Sequence, residues 1–242
     1  MNLGAGHKES GLHKLSSDYG TILSSCQVLQ FSDTSSESHI RNNVYIGNDK
    51  SLYSDGGNLA AYLYTLKNSN NYKKYYERIV KRIRLVIPQF SDFSLEPSTI
   101  SDRKNILLDW KEKNHQEYVF GPHQLSDGSL RFMALTTLLL QPPEKLPKII
   151  IIDEPELGLH PTALSVLAGM IRTASQHSQV LIATQSTRLV DEFNCEDIIV
   201  AEWDTKENSS KFKRLDKEQL GEWLENYSLS ELWEKNVLGG QP

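Results

Sequence analysis

The sequence predicts an α/β fold in which helices flank a parallel sheet. Two observations indicate this fold: two apolar segments typical of buried strands, and a helical periodicity between them. Residues 149–152 and 180–183 contain no polar side chain. Strands of a parallel sheet are covered on both faces, so they need no alternation of polar and apolar positions. Helical periodicity separates the two runs, and the order strand, helix, strand predicts parallel strands joined by right-handed crossovers.

The composition excludes several classes of protein. The 242 residues fit one large domain or two small ones, and 38% hydrophobic with 24% charged residues is far from the composition of disordered chains. No run of about 18 apolar residues could span a bilayer, and the polar N-terminus lacks the apolar core of a secretory signal. Cys26 and Cys195 are too few for a disulfide framework. We therefore expect a cytoplasmic protein without membrane contact.

The chain divides into three predicted regions. Residues 1–55 are polar and Ser-rich, form a poorly defined N-terminal segment, and offer only 22–31 as a strand. Residues 56–122 are predicted to hold a helical pair followed by a β-hairpin. Apolar residues recur every three or four positions along 59–66 and again along 72–87, and Pro88 ends the second helix. The hairpin is expected to pair 106–110 with 118–120.

The third region, residues 123–242, contains the two apolar runs. The segment LSDGS at 125–129 leads into a helical stripe that Pro142 ends. Pro161 is predicted to be the first residue of the helix between the two runs, because proline is favoured there. Residues 198–203 are expected to add another strand to the parallel sheet.

The helix at 72–87 has a basic face. Its cations alternate with the apolar stripe and are Lys73, Lys74, Arg78, Lys81, Arg82 and Arg84. A solvated helix surface explains this pattern, and so does contact with a phosphate backbone. The net charge of −5 argues against a protein that coats nucleic acid over its whole surface, but a local basic face is compatible with DNA as a partner.

Two adjacent carboxylates, Asp153 and Glu154, follow the first apolar run. Ligands of open α/β sheets bind beyond the carboxyl ends of the strands. Such a pair suits nucleotide hydrolysis, in which the first carboxylate holds Mg²⁺ through its water shell and the second orients the attacking water. The alternative is an ordinary strand-ending turn.

The LSDGS segment and the residues after the second apolar run add polar groups of a different kind. A helix that starts at Ser126 would supply backbone N–H groups, hydroxyls and the positive end of a helix dipole, and Gly128 would let a phosphate approach closely. Gln185 can donate its amide to the same phosphate without a change of charge. The alternatives are an ordinary helix cap and an exposed loop residue.

In their order and spacing, LSDGS, IIIIDE, ELGLHP and TQS resemble the C-terminal lobe of an ABC-type ATPase head. They match its signature motif, its Walker B strand with the catalytic glutamate, its D-loop and its switch position. LSDGSLRF, DEPELGLHP and ATQSTRLVD are more closely similar to the predicted ATPases of the RecF, SMC-head and OLD-type group than to transporter subunits. The resemblance is strong from Gly121 to Asp191 and weak elsewhere.

This resemblance implies a P-loop NTPase-type sheet, ATP and Mg²⁺ as cofactors, and a dimer that closes on ATP. Asp153 would order Mg²⁺, Glu154 would polarise water and Gln185 would sense the γ-phosphate. The residues implied to bind ATP across the dimer interface are Ser126, Asp127, Gly128 and Ser129, and those in the D-loop are Gly158 and His160. Two positions depart from the wider ABC pattern: Gln185 replaces a histidine, and Asp127 replaces a second glycine.

No G-x-x-x-x-G-K-[ST] motif occurs in the 242 residues. The nearest segment, GAGHKES at 4–10, has the wrong spacing for a P-loop. We therefore expect this chain to supply the signature and Walker B motifs of an ATPase head, with the P-loop on a partner lobe. The resemblance implies a role in DNA repair or defence. A truncated, non-catalytic dimerisation module is the alternative. An OLD-type nuclease is disfavoured, because no second carboxylate cluster follows Gln185.

Overall fold

The computed structural model describes residues 26–29, 31, 33–100 and 102–240. The segment 4–10 and the first residues of the strand expected at 22–31 lie outside this part of the chain. One hydrophobic cluster runs from Leu29 to Ala174 and includes side chains from all three predicted regions, whose boundaries stay a prediction. A smaller cluster between Val190 and Leu238 holds the C-terminal elements together.

The described residues form short strands and helices, and five strands follow one another between the second and third helices. The strands are β1 (Cys26–Leu29), β2 (Val44–Tyr45), β3 (Phe90–Phe93), β4 (Ser98–Ile100), β5 (Arg103–Ile106), β6 (Trp110–Glu112), β7 (Val119–Phe120), β8 (Ile149–Asp153), β9 (Gln179–Ala183), β10 (Ile199–Asp204) and β11 (Ser209–Arg214). The helices are α1 (Leu59–Asn68), α2 (Lys73–Val86), α3 (Asp127–Leu140), α4 (Pro161–Ala174), α5 (Thr187–Val190), α6 (Lys217–Asn226) and α7 (Leu229–Glu234). Within the described ranges, none of the helices has the length and apolar content to cross a membrane.

A three-stranded parallel sheet in the order β1-β8-β9 underlies the candidate site. The middle strand is in register with both neighbours, so that Ile151 lies opposite Val28 and Leu181. Ile150 and Ile152 are buried in the large cluster together with side chains of α3 and α4. The parallel sheet and its helices confirm the predicted α/β class.

The other face of this sheet has little cover. Val28 and Leu181 are 51% and 46% exposed, and Ile151 between them is half-buried. Because side chains alternate between faces along a strand, these register partners share one face. We call Val28, Ile151 and Leu181 the open face. A parallel sheet is normally covered on both faces, so the described residues supply only one of the two covering layers.

The prediction that residues 198–203 extend the parallel sheet is wrong for the described residues. β10 pairs with β11 in a separate antiparallel hairpin, in which Asp204 lies opposite Ser209. Asn208 takes a left-handed φ of 49° in the connecting turn, which asparagine tolerates better than most residues. The tight turn returns the chain at once, and the outer edge of β9 is left without a strand partner among the described residues.

The two helices of the N-terminal half follow the sequence prediction, but its strands do so only in part. β2, β3 and β4 were not predicted, and two three-stranded antiparallel sheets, β2-β5-β4 and β3-β6-β7, stand in place of the single hairpin. α1 and α2 lie where the periodicity predicted them, and α2 ends at Val86, just before Pro88. The predicted hairpin is right for Trp110, which pairs with Phe120. It is wrong for Ile106, which pairs with Val44 in another sheet. Only a short loop separates β5 from β6, so the sequence does not show where the first strand ends and the second begins.

Candidate functional site

The two predicted carboxylates lie at the carboxyl edge of the parallel sheet. Asp153 is the last residue of β8 and is exposed. Glu154 follows with a φ of 42°, a left-handed conformation that is rare for a residue with a side chain. Its backbone N–H donates to the carbonyl oxygen of Ala183 at 2.8 Å. The neighbouring strand therefore holds this turn, and backbone strain of this kind is common at functional sites.

The predicted switch residue meets the predicted catalytic glutamate. Gln185 Nε2 donates a hydrogen bond to Glu154 Oε1 at 3.2 Å. This contact exists because β8 and β9 are adjacent and parallel, so the residues that follow them reach the same edge of the sheet. The structure thus brings Asp153, Glu154 and Gln185 together.

A third carboxylate, which the sequence analysis did not single out, supports this edge. Thr184 Oγ1 donates to Glu156 Oε1 at 2.5 Å and accepts from the backbone N–H of Ser186 at 3.0 Å. The other oxygen, Glu156 Oε2, is buried and has no hydrogen-bond partner among the described residues. Glu156 and Thr184 therefore link the loop after β8 to the loop after β9, next to the bond between Glu154 and Gln185. In the sequence, Glu156 and Thr184 lie next to or close to Glu154 and Gln185, and this proximity could have indicated their role.

The predicted anion-binding turn, residues 126–129, forms the start of α3. Ser126 is the N-cap: its Oγ accepts from the backbone N–H of Ser129 at 3.2 Å and donates to Ser129 Oγ at 2.9 Å. Ser126 and Asp127 are exposed, whereas Gly128 and Ser129 are half-buried. The hydroxyl groups and the positive end of the helix dipole are thus presented at one surface of the chain. We call residues 126–129 the signature turn.

The signature turn packs directly on the D-loop segment, glycine against glycine. A Cβ atom at Gly128 would lie 2.1 Å from the carbonyl oxygen of Gly158, which no real side chain tolerates. Gly158 itself has a φ of 76°, a conformation that glycine adopts without strain. His160, two residues later, caps α4: its Nδ1 accepts from the backbone N–H of Thr162 at 3.3 Å. His160 therefore has a capping role here.

Arg131 joins three segments of the site. Its Nε donates to the carbonyl oxygen of Phe31 at 2.8 Å, and its Nη1 donates to the carbonyl oxygen of Leu157. Burial lowers the pKa of the Arg131 guanidinium, and the charge of Asp127 opposes that shift. The side chain thus connects the exit of β1, the helix α3 and the D-loop. Sequence reasoning missed it, because its partners are backbone atoms distant in the chain.

A cavity of about 90 Å³ lies behind the two carboxylates, and Phe31, Arg131, Asp153 and Glu154 are among its lining residues. Its volume is far below the several hundred Å³ typical of a small-molecule pocket. A nucleotide therefore does not fit inside it.

The donor set at this edge fits Mg²⁺ bound to a phosphate. No group of three or more His, Cys, Asp or Glu side chains is arranged to enclose a metal ion in the described part of the chain. Mg²⁺ does not need such a cage, because it keeps several waters and takes one or two protein carboxylates together with phosphate oxygens. Asp153 and Glu154 are adjacent and accessible, as this mode of binding requires.

The predicted residues therefore form two groups within one chain. Asp153, Glu154 and Gln185 meet at the carboxyl edge of the sheet, and the signature turn meets Gly158 beside it. A family of domains matches residues 12–191 of the chain and is described as "AAA domain, putative AbiEii toxin, Type IV TA system". The chain belongs to this family. An AAA domain is an ATPase-type module that binds nucleotide, typically with Mg²⁺.

Solved structures similar to this AAA domain are SMC ATPase heads. One, from work on ATP-driven dimerization and DNA-stimulated activation of SMC ATPases, is 17% identical with a TM-score of 0.43, over 64% of this chain and 94% of that one. The SMC head domain from Thermotoga maritima is 13% identical with a TM-score of 0.40, over 65% and 52%. An Smc head bound to the C-terminal domain of ScpA, derived from Pyrococcus furiosus, is 16% identical with a TM-score of 0.43, over 71% and 44%. The chain thus spans about half or less of the last two. A comparison with curated proteins found no match.

Proposed function

We propose that this AAA domain supplies the Walker B and signature halves of an ATP site, in a head that dimerises on ATP and hydrolyses it. The observation that carries the proposal is the hydrogen bond between Gln185 and Glu154 at the carboxyl edge of the sheet, beside the exposed Asp153. A γ-phosphate placed there has a carboxylate for the metal, a carboxylate for water and an amide donor within one short stretch of surface.

Each side chain has a distinct role in this proposal. Asp153 would hold Mg²⁺, which would supply neutralisation of charge on the phosphate oxygens. Glu154 accepts a hydrogen bond from the attacking water and orients it. Gln185 holds the Glu154 carboxylate in place before ATP binds, and then donates to the γ-phosphate. Because the amide stays neutral, this exchange of partners leaves the charge of the site unchanged.

The signature turn acts on a different ATP molecule in this proposal. Its contact with Gly158 fixes it to the D-loop of its own chain, and its hydroxyl groups lie at the surface. This placement suits a turn that closes over a γ-phosphate held by a second subunit. Ser126, Gly128 and Ser129 then contribute hydroxyl and backbone N–H donors across the interface.

We further propose that a lobe outside these 242 residues carries the P-loop. The printed sequence contains no G-x-x-x-x-G-K-[ST] motif. Among the described residues, the open face formed by Val28, Ile151 and Leu181 is apolar and only partly covered, and the outer edge of β9 has no strand partner. A partly covered face and an unpaired edge are features that a partner lobe with its own strand would satisfy.

The test is ATP hydrolysis by the chain combined with a lobe that bears a P-loop. Glu154→Gln keeps the shape of the side chain but removes the carboxylate, so turnover is expected to fall at least ~100-fold. The matched control is Glu196→Gln, an exposed carboxylate outside the site, which should leave turnover unchanged. Equal turnover by the Glu154→Gln and wild-type proteins would reject the proposed chemistry.

A non-catalytic dimerisation module is the second candidate, and the absence of a P-loop motif from the printed sequence favours it. The two candidates differ in their dependence on nucleotide. A module of this kind associates equally well with and without ATP, and its combination with a P-loop lobe gives no turnover that depends on Glu154. Sedimentation of the chain and lobe with and without ATP separates the two candidates.

DNA is the partner that the basic face of α2 would fit. Lys73, Lys74 and Lys81 are exposed, and Glu77 is the one acidic residue of this helix. Arg78 is also exposed but donates to the carbonyl oxygen of Leu140. The test is the salt dependence of duplex DNA binding by a variant with the three lysines changed to glutamine, because each lost phosphate contact reduces the slope by about one. Unchanged affinity and slope would remove α2 from consideration.

A further inference from the structure

Arg41 is a buried cation whose hydrogen bonds converge on the signature turn. Its side chain is only 6% exposed. The guanidinium donates to the carbonyl oxygen of Thr34 at 2.8 Å through Nε, to that of Pro122 through Nη1, and to that of Leu125 at 3.2 Å through both Nη1 and Nη2. Nη2 also donates to Asp127 Oδ1 at 2.7 Å. A buried charge without such partners would be costly, so this set of contacts holds Arg41 in one position.

Two of these partners lie on either side of Ser126. Leu125 contributes the carbonyl group just before the N-cap, and Asp127 contributes the carboxylate just after it. A planar guanidinium with several fixed donors can hold a carbonyl and a carboxylate at once, which the point charge of a lysine cannot. Arg41 therefore holds the backbone just before Ser126 and the side chain just after it.

The contact also bears on charge. Asp127 is 67% exposed, in the turn where an anion is proposed to bind. An unpaired carboxylate there would repel a phosphate, as like charges do. Because Nη2 of Arg41 reaches this carboxylate from the buried side, the pair carries no net charge at the surface of the turn. Asp127 is thereby made compatible with an anion at the turn.

We propose that Arg41 is a positioning residue for the signature turn: it locks the backbone around Ser126 and cancels the charge of Asp127, so that the hydroxyl and N–H groups of the turn face an incoming phosphate. The part that concerns phosphate rests on the proposed function. The positioning of the turn itself does not, and it is tested on the chain alone.

The first measurement is amide hydrogen exchange of the isolated chain, followed by NMR or mass spectrometry. Arg41→Lys should raise the exchange rate at Ser129 and Leu130 at least ~10-fold, while rates in α4 stay within ~2-fold of wild type. Asp127→Ala leaves the three carbonyl contacts of Arg41 in place and should raise the same rates by a smaller factor, about 3-fold. Glu96→Ala, at an exposed carboxylate outside the turn, is the matched control and should change none of them.

The Asp127→Ala variant keeps the test valid if Arg41→Lys does not fold. Unchanged exchange at Ser129 and Leu130 in every folded variant would overturn the proposal. If exchange at Ser129 and Leu130 in Arg41→Lys equals that of wild type, the part of the proposal that depends on the planar, forked guanidinium of arginine is wrong.

The second measurement is ATP-dependent association of the chain combined with its P-loop lobe. Arg41→Lys, compared with wild type at a temperature at which both chains are folded, should weaken this association at least ~10-fold, whereas Glu96→Ala should not affect it. If exchange in the turn responds to Arg41 but the wild-type protein shows no association that depends on ATP, the proposed function fails and the positioning role stands. Association that is unaffected by Arg41→Lys would overturn the link between this residue and phosphate.

Discussion

Gln185 Nε2 donates a hydrogen bond to Glu154 Oε1 at 3.2 Å, across the ends of two adjacent parallel strands. The bond ties a neutral amide to the carboxylate that is proposed to orient water. Glu154 is held from a second direction as well, because its own N–H donates to Ala183. Glu154 is thus held by its backbone from the last residue of β9 and by its carboxylate from the loop after β9, although its backbone lies in a strained region.

The substitution Gln185→Glu should therefore lower ATP turnover more than the substitution Gln185→Ala. Gln185→Glu places a second carboxylate against Glu154, and two like charges at this distance repel each other. We expect turnover of the reconstituted head to fall at least ~10-fold further in Gln185→Glu than in Gln185→Ala. The melting temperature should change little, because Gln185 is exposed. Equal activities would show that the hydrogen bond to Glu154 has no part in catalysis.

Gly128→Ala tests the glycine contact between the signature turn and the D-loop. The new Cβ would lie 2.1 Å from the carbonyl oxygen of Gly158, a backbone atom that cannot rotate away. We expect a loss of ~1–3 kcal/mol in the free energy of unfolding, as for other overpacked sites. The measurement is urea denaturation of the chain.

The matched control for this variant is Gly169→Ala in α4, where a Cβ would have no neighbour within 4 Å. Alanine in a helix interior is favoured over glycine, so this change should raise the free energy of unfolding by ~0.5–1 kcal/mol. Two glycine-to-alanine changes of opposite sign would separate a steric contact from a general effect of glycine. Two stabilised variants would show that the turn and the D-loop are not in contact.

The open face gives a prediction about association. Leu181→Lys places a charge at an exposed position of the described chain, so its free energy of unfolding should stay within ~0.5 kcal/mol of wild type. The same charge would be buried against a covering lobe, and binding of the P-loop lobe should weaken at least ~10-fold. Leu85→Lys in α2, at another exposed leucine, is the control. Equal binding of the lobe by both variants would reject the open face as its contact surface.

Asp109 predicts a dependence of stability on pH. Burial raises the pKa of its carboxyl group above the ordinary value, so folding favours the protonated form. Its contribution to stability is therefore greatest below the ordinary pKa and is lost as the pH rises through the raised pKa. Asp109→Asn cannot ionise and should be more stable than wild type at neutral pH, with the difference shrinking as the pH falls through the raised pKa toward the ordinary value of about 4. Denaturant titrations at several pH values measure this difference, and one that does not vary with pH would contradict it.

The sequence predicted those parts of the fold that depend on local pattern. The helices α1 to α4 and the strands β8 and β9 follow from periodicity and from continuous apolar runs, and Pro161 begins α4 as expected. The proximity of Glu154 and Gln185 could also be predicted from the sequence, because the carboxyl ends of neighbouring parallel strands lie at the same edge of a sheet. The prediction failed for residues 198–203, since an apolar strand pattern does not reveal which strand is its partner.

The residues that support the site could not be predicted in the same way. Arg41 and Arg131 bind mainly backbone carbonyl groups, and all of these except that of Thr34 lie 26 to 100 positions away in the chain. Thr34 is seven positions from Arg41. Every residue has a backbone carbonyl group, so the sequence does not distinguish an arginine that binds such groups from an arginine that is exposed to solvent. Glu156 was hidden for a similar reason, because its partner Thr184 comes from the next strand along the chain.

The central claim is that this AAA domain holds the water-activating half of an ATP site and needs a P-loop lobe to use it. The most direct measurement is steady-state ATP hydrolysis by the purified chain alone and by the chain with that lobe added. The account predicts almost no turnover by the chain alone, and turnover with the lobe that disappears in Glu154→Gln. Rapid ATP hydrolysis by the chain alone, or hydrolysis with the lobe that does not depend on Glu154, would contradict it.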